Sequence, residues 1–170
     1  MTSSPFSTGA IELAGAGGPS VRLLPFEPHS VHPLAEAIAA MEPWSVMNIR
    51  ADRLAALLAS PDAGVCRYLI SLGGVDAGVV SIRFPWLKGP YLELLAILPH
   101  AQNRGIGRNI MAWFEVTARR HEARNVWVCA SSSNAKALRF YERHGFQAVA
   151  TLPGLVAEGY DEILLRKFPL

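Results

Sequence analysis

The stretch PHAQNRGIGRNIMAWFE, Pro99 to Glu115, decides how this chain is read. Gly105 and Gly107 follow an apolar run, Leu94 to Leu98, that reads as a strand. They precede a run that reads as an amphipathic helix to about His121. Ile110, Phe114 and Ala118 recur at i, i+4 and i+8 with Met111 beside them, so one face is apolar. A helix start leaves backbone N–H groups without partners, and its dipole adds positive potential. Glycine removes the Cβ that would keep a ligand away. Strand, glycine turn and helix together suit an anion, most often phosphate. Arg104 and Arg108 flank the turn and add charge.

Outward from that stretch, a coarse order of elements emerges. Val21 to Phe26 reads as a strand, and Leu34 to Met41 and Ala51 to Leu58 as helices, the second stopped by Pro61. Val65 to Ser71 and Gly78 to Phe84 read as a hairpin joined by LGGVDAG. The prolines and glycine of FPWLKGP mark a loop, after which Tyr91 to Leu98 is a strand. Asn125 to Ala130 is the next strand, and a helix runs from Asn134 to about His144, after SSS and before Gly145. Two last strands, Phe146 to Leu152 and Tyr160 to Phe168, flank a loop, PGLVAEG. Short turns favour antiparallel pairing, while the central strand–helix–strand crossover requires a parallel pair. The expectation is an α/β fold with a mixed, mostly antiparallel sheet of about seven strands and about four helices.

Bulk properties narrow the function. One domain over residues 21–170 is expected, after a tail over residues 1–20 rich in Ser, Gly, Ala and Pro. Apolar residues make up 51% and charged residues 18% of 170 residues, a globular composition. A formal net charge of +2 gives no nucleic-acid footprint, and Arg119, Arg120 and Arg124 read as a solvated helix end. No apolar run approaches the ~18 residues of a membrane span, and the N-terminus does not read as a signal peptide. Cys66 and Cys129 read as buried free thiols of a reducing compartment, hence a cytoplasmic protein.

Two phosphate motifs fail. A dinucleotide fingerprint needs a small residue where Ile110 stands, and a P-loop needs a Gly-Lys-Ser/Thr ending. What remains is Gln102-Asn-Arg-Gly105-Ile-Gly107, of the form Gln/Arg-x-x-Gly-x-Gly/Ala. This pattern, with SSSNAKALRFYERHGFQ at Ser131 to Gln147, resembles the two signatures of the GNAT superfamily of acyl-CoA-dependent N-acyltransferases. The resemblance covers roughly Val65 to Lys167.

The resemblance implies acetyl-CoA as acyl donor, with no metal. Backbone N–H groups of Asn103, Arg104, Gly105, Ile106, Gly107 and Arg108, after Gln102, would hold its pyrophosphate. Main-chain groups of Leu95, Ala96 and Ile97 would bind the pantetheine arm and acetyl carbonyl, provided their strand splays from the next. Asn134 would bond the pantetheine or hold the following helix. Tyr141, about two helical turns on, would protonate the leaving thiolate. Glu93, within the apolar YLELLAIL, is the candidate base, either lining a cavity or facing solvent. In the ribosomal-protein N-terminal acetyltransferases of this family the base is a Glu five residues before the Asn. Here that position is Cys129, and a water chain is the alternative to Glu93. Direct attack needs no acyl-enzyme, so Cys129 is not required as a nucleophile.

The expected acceptor is a primary amine: a small amine, an amino-acid-type metabolite, or a peptide N-terminus or lysine. Trp44, Trp86, Tyr91 and Tyr160 are candidates for an aromatic wall, and Glu158, Asp161 and Glu162 for attracting a cation. Relatives in the family are often dimers, so a homodimer is among the expectations. The competing reading is a non-catalytic acyl-CoA sensor.

Overall fold

The computed structural model describes residues 4–6, 9–13 and 20–170. In chain order the α-helices and strands are β1 (Ile11–Leu13), β2 (Val21–Pro25), α1 (Val31–Ala39), α2 (Ala51–Ala59), β3 (Val65–Leu72), β4 (Val75–Trp86) and β5 (Gly89–Ile97). There follow α3 (Ile106–Arg120), β6 (Val126–Ser131), α4 (Ala135–Arg143), β7 (Gln147–Ala157) and β8 (Tyr160–Lys167). The eight strands form one sheet in the order β1-β2-β3-β4-β5-β6-β8-β7. Every pairing is antiparallel except β5 with β6. The expected mixed, mostly antiparallel α/β architecture is what the chain adopts, with four α-helices among the described residues.

Helix periodicity assigns each face of the sheet its cover. In α1, Val31, Leu34, Ala35 and Ile38 are buried, and in α2, Leu54, Ala55 and Leu58. They pack on Leu69, Val79, Ala96 and Leu98. On the opposite face Ile106, Ile110, Met111, Phe114 and Ala118 of α3 and Tyr141 of α4 join Val80, Leu92, Val126 and Val128.

Three segments differ from the sequence expectation. Within the expected tail, Ile11–Leu13 is a strand paired with β2, and Phe6 is buried against Trp113 and Phe114. Residues 1–3, 7–8 and 14–19 of that stretch lie outside the described residues. FPWLKGP is no open loop: β4 runs to Trp86 and turns through Leu87 and Lys88 into Gly89. Pro85 is accommodated where the β4–β5 register shifts, so no ladder bond is demanded of it. PGLVAEG likewise lies largely within β7, where Pro153 is tolerated because β7 is an edge strand.

Candidate active site

The decisive feature is where the sheet opens. β5 and β6 pair only at Tyr91 with Trp127 and Leu92 with Val128. Beyond Leu92 the strands diverge, and Leu94 to Ile97 keep β4 alone as strand partner. The register with β4 shifts at this point: Ser81 faces Leu94 and Ile82 faces Leu92, leaving Glu93 as the extra residue of a bulge. Antiparallel alternation then decides which groups face the gap. Leu98 N–H donates to Ala77 O, so Ala96 and Leu94 direct their main-chain groups toward β4, and Leu95 and Ile97 direct theirs toward the gap. Of the three residues expected to offer main-chain groups to a ligand, Leu95 and Ile97 thus present theirs to the gap, whereas those of Ala96 are turned to β4.

The glycine turn closes one end of this gap. Gly105 caps α3 with φ +77°, a left-handed conformation that favours glycine. The first bond of the helix is Asn109 N–H to Gly105 O, so the N–H groups of Ile106, Gly107 and Arg108 have no partner within it. A Cβ on Gly107 would stand 3.2 Å from the Phe140 ring. Glycine here thus serves the approach of α3 to α4 as much as that of an anion. Gln102 ties the turn down: its Nε2 donates to Ile97 O and its Oε1 accepts from Lys136 Nζ. Leu95, Ile97, Gly107, Asn134 and Tyr141 share a cleft of about 530 Å³ with Asn103, Gly105, Ile106 and Arg108. Arg104 is exposed outside its lining.

Asn134 caps α4 by accepting from Ala137 N–H through Oδ1, which leaves its amide nitrogen for another partner. The cap sets the phase of the helix and carries Tyr141 to the cleft. Tyr141 is 6% exposed, and its hydroxyl makes no hydrogen bond to a described residue. Burial, and secondarily the Cys129 thiol, push its pKa far above the ordinary tyrosine value. The phenol therefore stays protonated through neutral pH.

On the far side of the gap the charges are arranged unequally. Glu93 Oε1 accepts from Arg83 Nε at 3.1 Å and Nη2 at 2.9 Å, and Oε2 accepts from Ser81 Oγ at 3.1 Å. Arg83 also pairs with Asp62 at 3.0 Å. The candidate base is thus engaged at both oxygens. Cys129 interacts with the Tyr91 hydroxyl, and burial is the main cause that raises both groups. Glu162 on β8 is buried, and its desolvation pushes the carboxyl up to about 7.

The remaining acceptor candidates divide. Trp44 lines the cleft. Trp86 stacks on Tyr91 at 4.6 Å and meets Trp127 edge-on. The Tyr160 hydroxyl donates to Val46 O at 2.8 Å, joining β8 to the segment between α1 and α2. Glu158 is exposed. In the sequence Glu162 is one of three nearby acids, and nothing there shows that of Glu158, Asp161 and Glu162 it alone is buried.

No group of three or more His, Cys, Asp and Glu residues suited to a metal occurs among the described residues. No helix among them is long and apolar enough to cross a membrane.

The acetyltransferase (GNAT) family matches residues 31–146. No curated protein sequence matches the chain. Among solved structures, one from Desulfovibrio desulfuricans, described as an acetyltransferase of the GNAT family, is 24% identical with a TM-score of 0.68, covering 88% of this chain and 98% of its own. The ribosomal-protein-S18-alanine N-acetyltransferase from Escherichia coli is 17% identical with a TM-score of 0.67, covering 88% and 94%. A streptothricin-acetyltransferase-like structure from Bacillus anthracis, in complex with acetyl coenzyme A, is 18% identical with a TM-score of 0.54, covering 65% and 64%.

Proposed function

From the premise that the chain belongs to the GNAT acetyltransferase family, we propose that it moves the acetyl group of acetyl-CoA to a primary amine by direct attack. The observation that carries the reading is the opening between β5 and β6, with a Tyr141 hydroxyl that has no partner among the described residues beside it and α3 N–H groups unpaired within the helix at one end. An elongated thioester with a diphosphate needs those donors in that order. The N–H groups of Gly107 and Arg108 and their neighbours would bind the diphosphate. The Leu95 and Ile97 edge and the Asn134 amide would orient the amide-bearing arm. An N–H at Leu95 or Ile97 would polarise the carbonyl.

Tyr141 is the proton donor to the departing sulfur, because its raised pKa keeps it protonated. Glu93 would serve an amine only while held by Arg83 at one oxygen and Ser81 at the other. The acceptor is a small amine, an amino-acid-type metabolite, or a peptide N-terminus or lysine. The test is release of free thiol from acetyl-CoA against a panel of these amines, with the acetylated product weighed by mass spectrometry. Amine-dependent release supports the reading. Tight acetyl-CoA binding without transfer to any amine replaces it with an acyl-CoA sensor.

A further inference from the structure

The far side of the gap holds a buried carboxylate with no side-chain partner among the described residues. Glu162 is 5% exposed and makes no side-chain hydrogen bond or ion pair with a described residue. Among those residues no sealed side-chain oxygen lacks a partner, so the Glu162 oxygens are ones that water reaches. A desolvated, unpaired carboxylate costs stability, and such groups concentrate where chemistry needs them.

Register places the group. Glu162 lies opposite Ser131, and Leu164 opposite Cys129. Opposite and alternate residues share a face, so Glu162, Tyr160 and Cys129 lie on the face that carries Tyr91. Glu162 is close enough to raise the Cys129 thiol and the Tyr91 hydroxyl, and Cys129 in turn raises Tyr141. Register thus sets Glu162 opposite Ser131, at the end of β6 where the sheet has opened.

The titratable groups facing it are Tyr91 and Glu93 from β5, Cys129 from β6, and Tyr160 and Arg166 on β8; β7 carries none. Arg166 is drawn away to Asn125 and Trp127. The segment between α1 and α2, tied to Tyr160, brings Glu42 to the cleft.

We propose that Glu162, and not Glu93, is the base that receives the proton of the acceptor ammonium. The inference rests on the acetyl-transfer reading above. In the step, the N–H bond of the ammonium breaks and its proton passes to a Glu162 oxygen. The freed nitrogen lone pair forms the C–N bond to the acetyl carbon. The C–S bond breaks with its electrons on sulfur, which takes the Tyr141 proton, and the second nitrogen proton restores Tyr141. The Glu162 proton then leaves to water. A carboxyl poised near 7 suits this exchange at neutral pH. A cationic primary amine is thereby favoured over a neutral hydroxyl acceptor.

The experiment compares the parent with Glu162→Gln and Glu162→Asp. For the parent, kcat/KM rises with pH along a limb centred near 7. Glu162→Gln loses about 100-fold or more at pH 7 and that limb disappears, while acetyl-CoA binds within about twofold of the parent. Glu162→Asp retains a limb at lower rate. A limb that persists in Glu162→Gln and vanishes in Glu93→Gln overturns the proposal.

A second readout needs no acceptor. The melting temperature of Glu162→Gln relative to the parent climbs between pH 4.5 and about 7, where the parent must ionise the buried group. A flat difference over that range overturns the proposal even if no amine is acetylated. No transfer by the parent, with that climb present, contradicts the acetyl-transfer reading instead.

Discussion

The two sides of the β5–β6 gap are made of different material. The cleft side is built largely of main chain: unpaired N–H groups at the start of α3 and the Leu95–Ile97 edge. The opposite side is built of side chains brought from β4, β5, β6 and β8: Arg83, Tyr91, Glu93, Cys129 and Glu162. Main-chain sites depend on glycine spacing and element order, so many sequences can share one donor. Side-chain sites depend on which residue stands at each register position, so the acceptor can change while the fold does not.

The largest expected effect tests the meeting point of the two sides. Tyr141→Phe lowers kcat about 100-fold and leaves the acetyl-CoA dissociation constant within about twofold, read by thiol release and calorimetry. A loss shared equally between the two constants would make the ring's packing, not its hydroxyl, the important feature.

Gly107→Val acts on the cleft side. Its side chain meets Phe140 at the place where a Cβ already stands 3.2 Å away. Overpacking of about 1–3 kcal/mol weakens acetyl-CoA binding about 10- to 100-fold and lowers the melting temperature. Unchanged affinity would remove the turn from the donor site.

Next in size is the pH dependence of stability. The folded carboxyl of Glu162 titrates at about 7, above its ordinary 4.5, so the folded state keeps a proton that the unfolded chain has released. The favourable contribution is complete below 4.5 and is lost as pH rises through about 7. Replacing Glu162 by Gln removes that loss, a gain on the order of 2 kcal/mol above neutral pH after screening, measurable by urea denaturation.

Smallest is Tyr160→Phe. Losing the bond to Val46 O loosens the segment between α1 and α2 and raises the acceptor KM about fivefold, the equivalent of ~1 kcal/mol. Acetyl-CoA binding stays constant, and a change there would show that the segment serves the donor.

The same division governs what was legible before the structure. Gly105, Gly107 and Asn134 carry their meaning in local backbone chemistry, so their spacing exposed the cleft side. Nothing in the sequence separates Ala96 from Leu95 and Ile97, because alternation along an edge depends on pairing with β4. Glu93 stood out as a charge in an apolar strand, yet Arg83 and Ser81 reach it only through the β4–β5 register. Glu162 sat beside two other acids, and its burial depends on β6 and β7 closing around β8. Pro85, Pro153 and Gly154 suggested loops because their tolerance at a register shift or sheet edge is a tertiary property. Ile11–Leu13 was hidden by the small residues around it.

The measurement that tests this two-sided account most directly is a paired titration of Gly107→Val and Glu162→Gln, reading acetyl-CoA affinity and the acceptor-dependent rate on each. The account predicts that the first variant moves the acetyl-CoA dissociation constant, and that the second leaves it alone while lowering acetyl transfer and erasing the limb near pH 7. Both variants shifting acetyl-CoA affinity alike, with the limb intact in each, would contradict it.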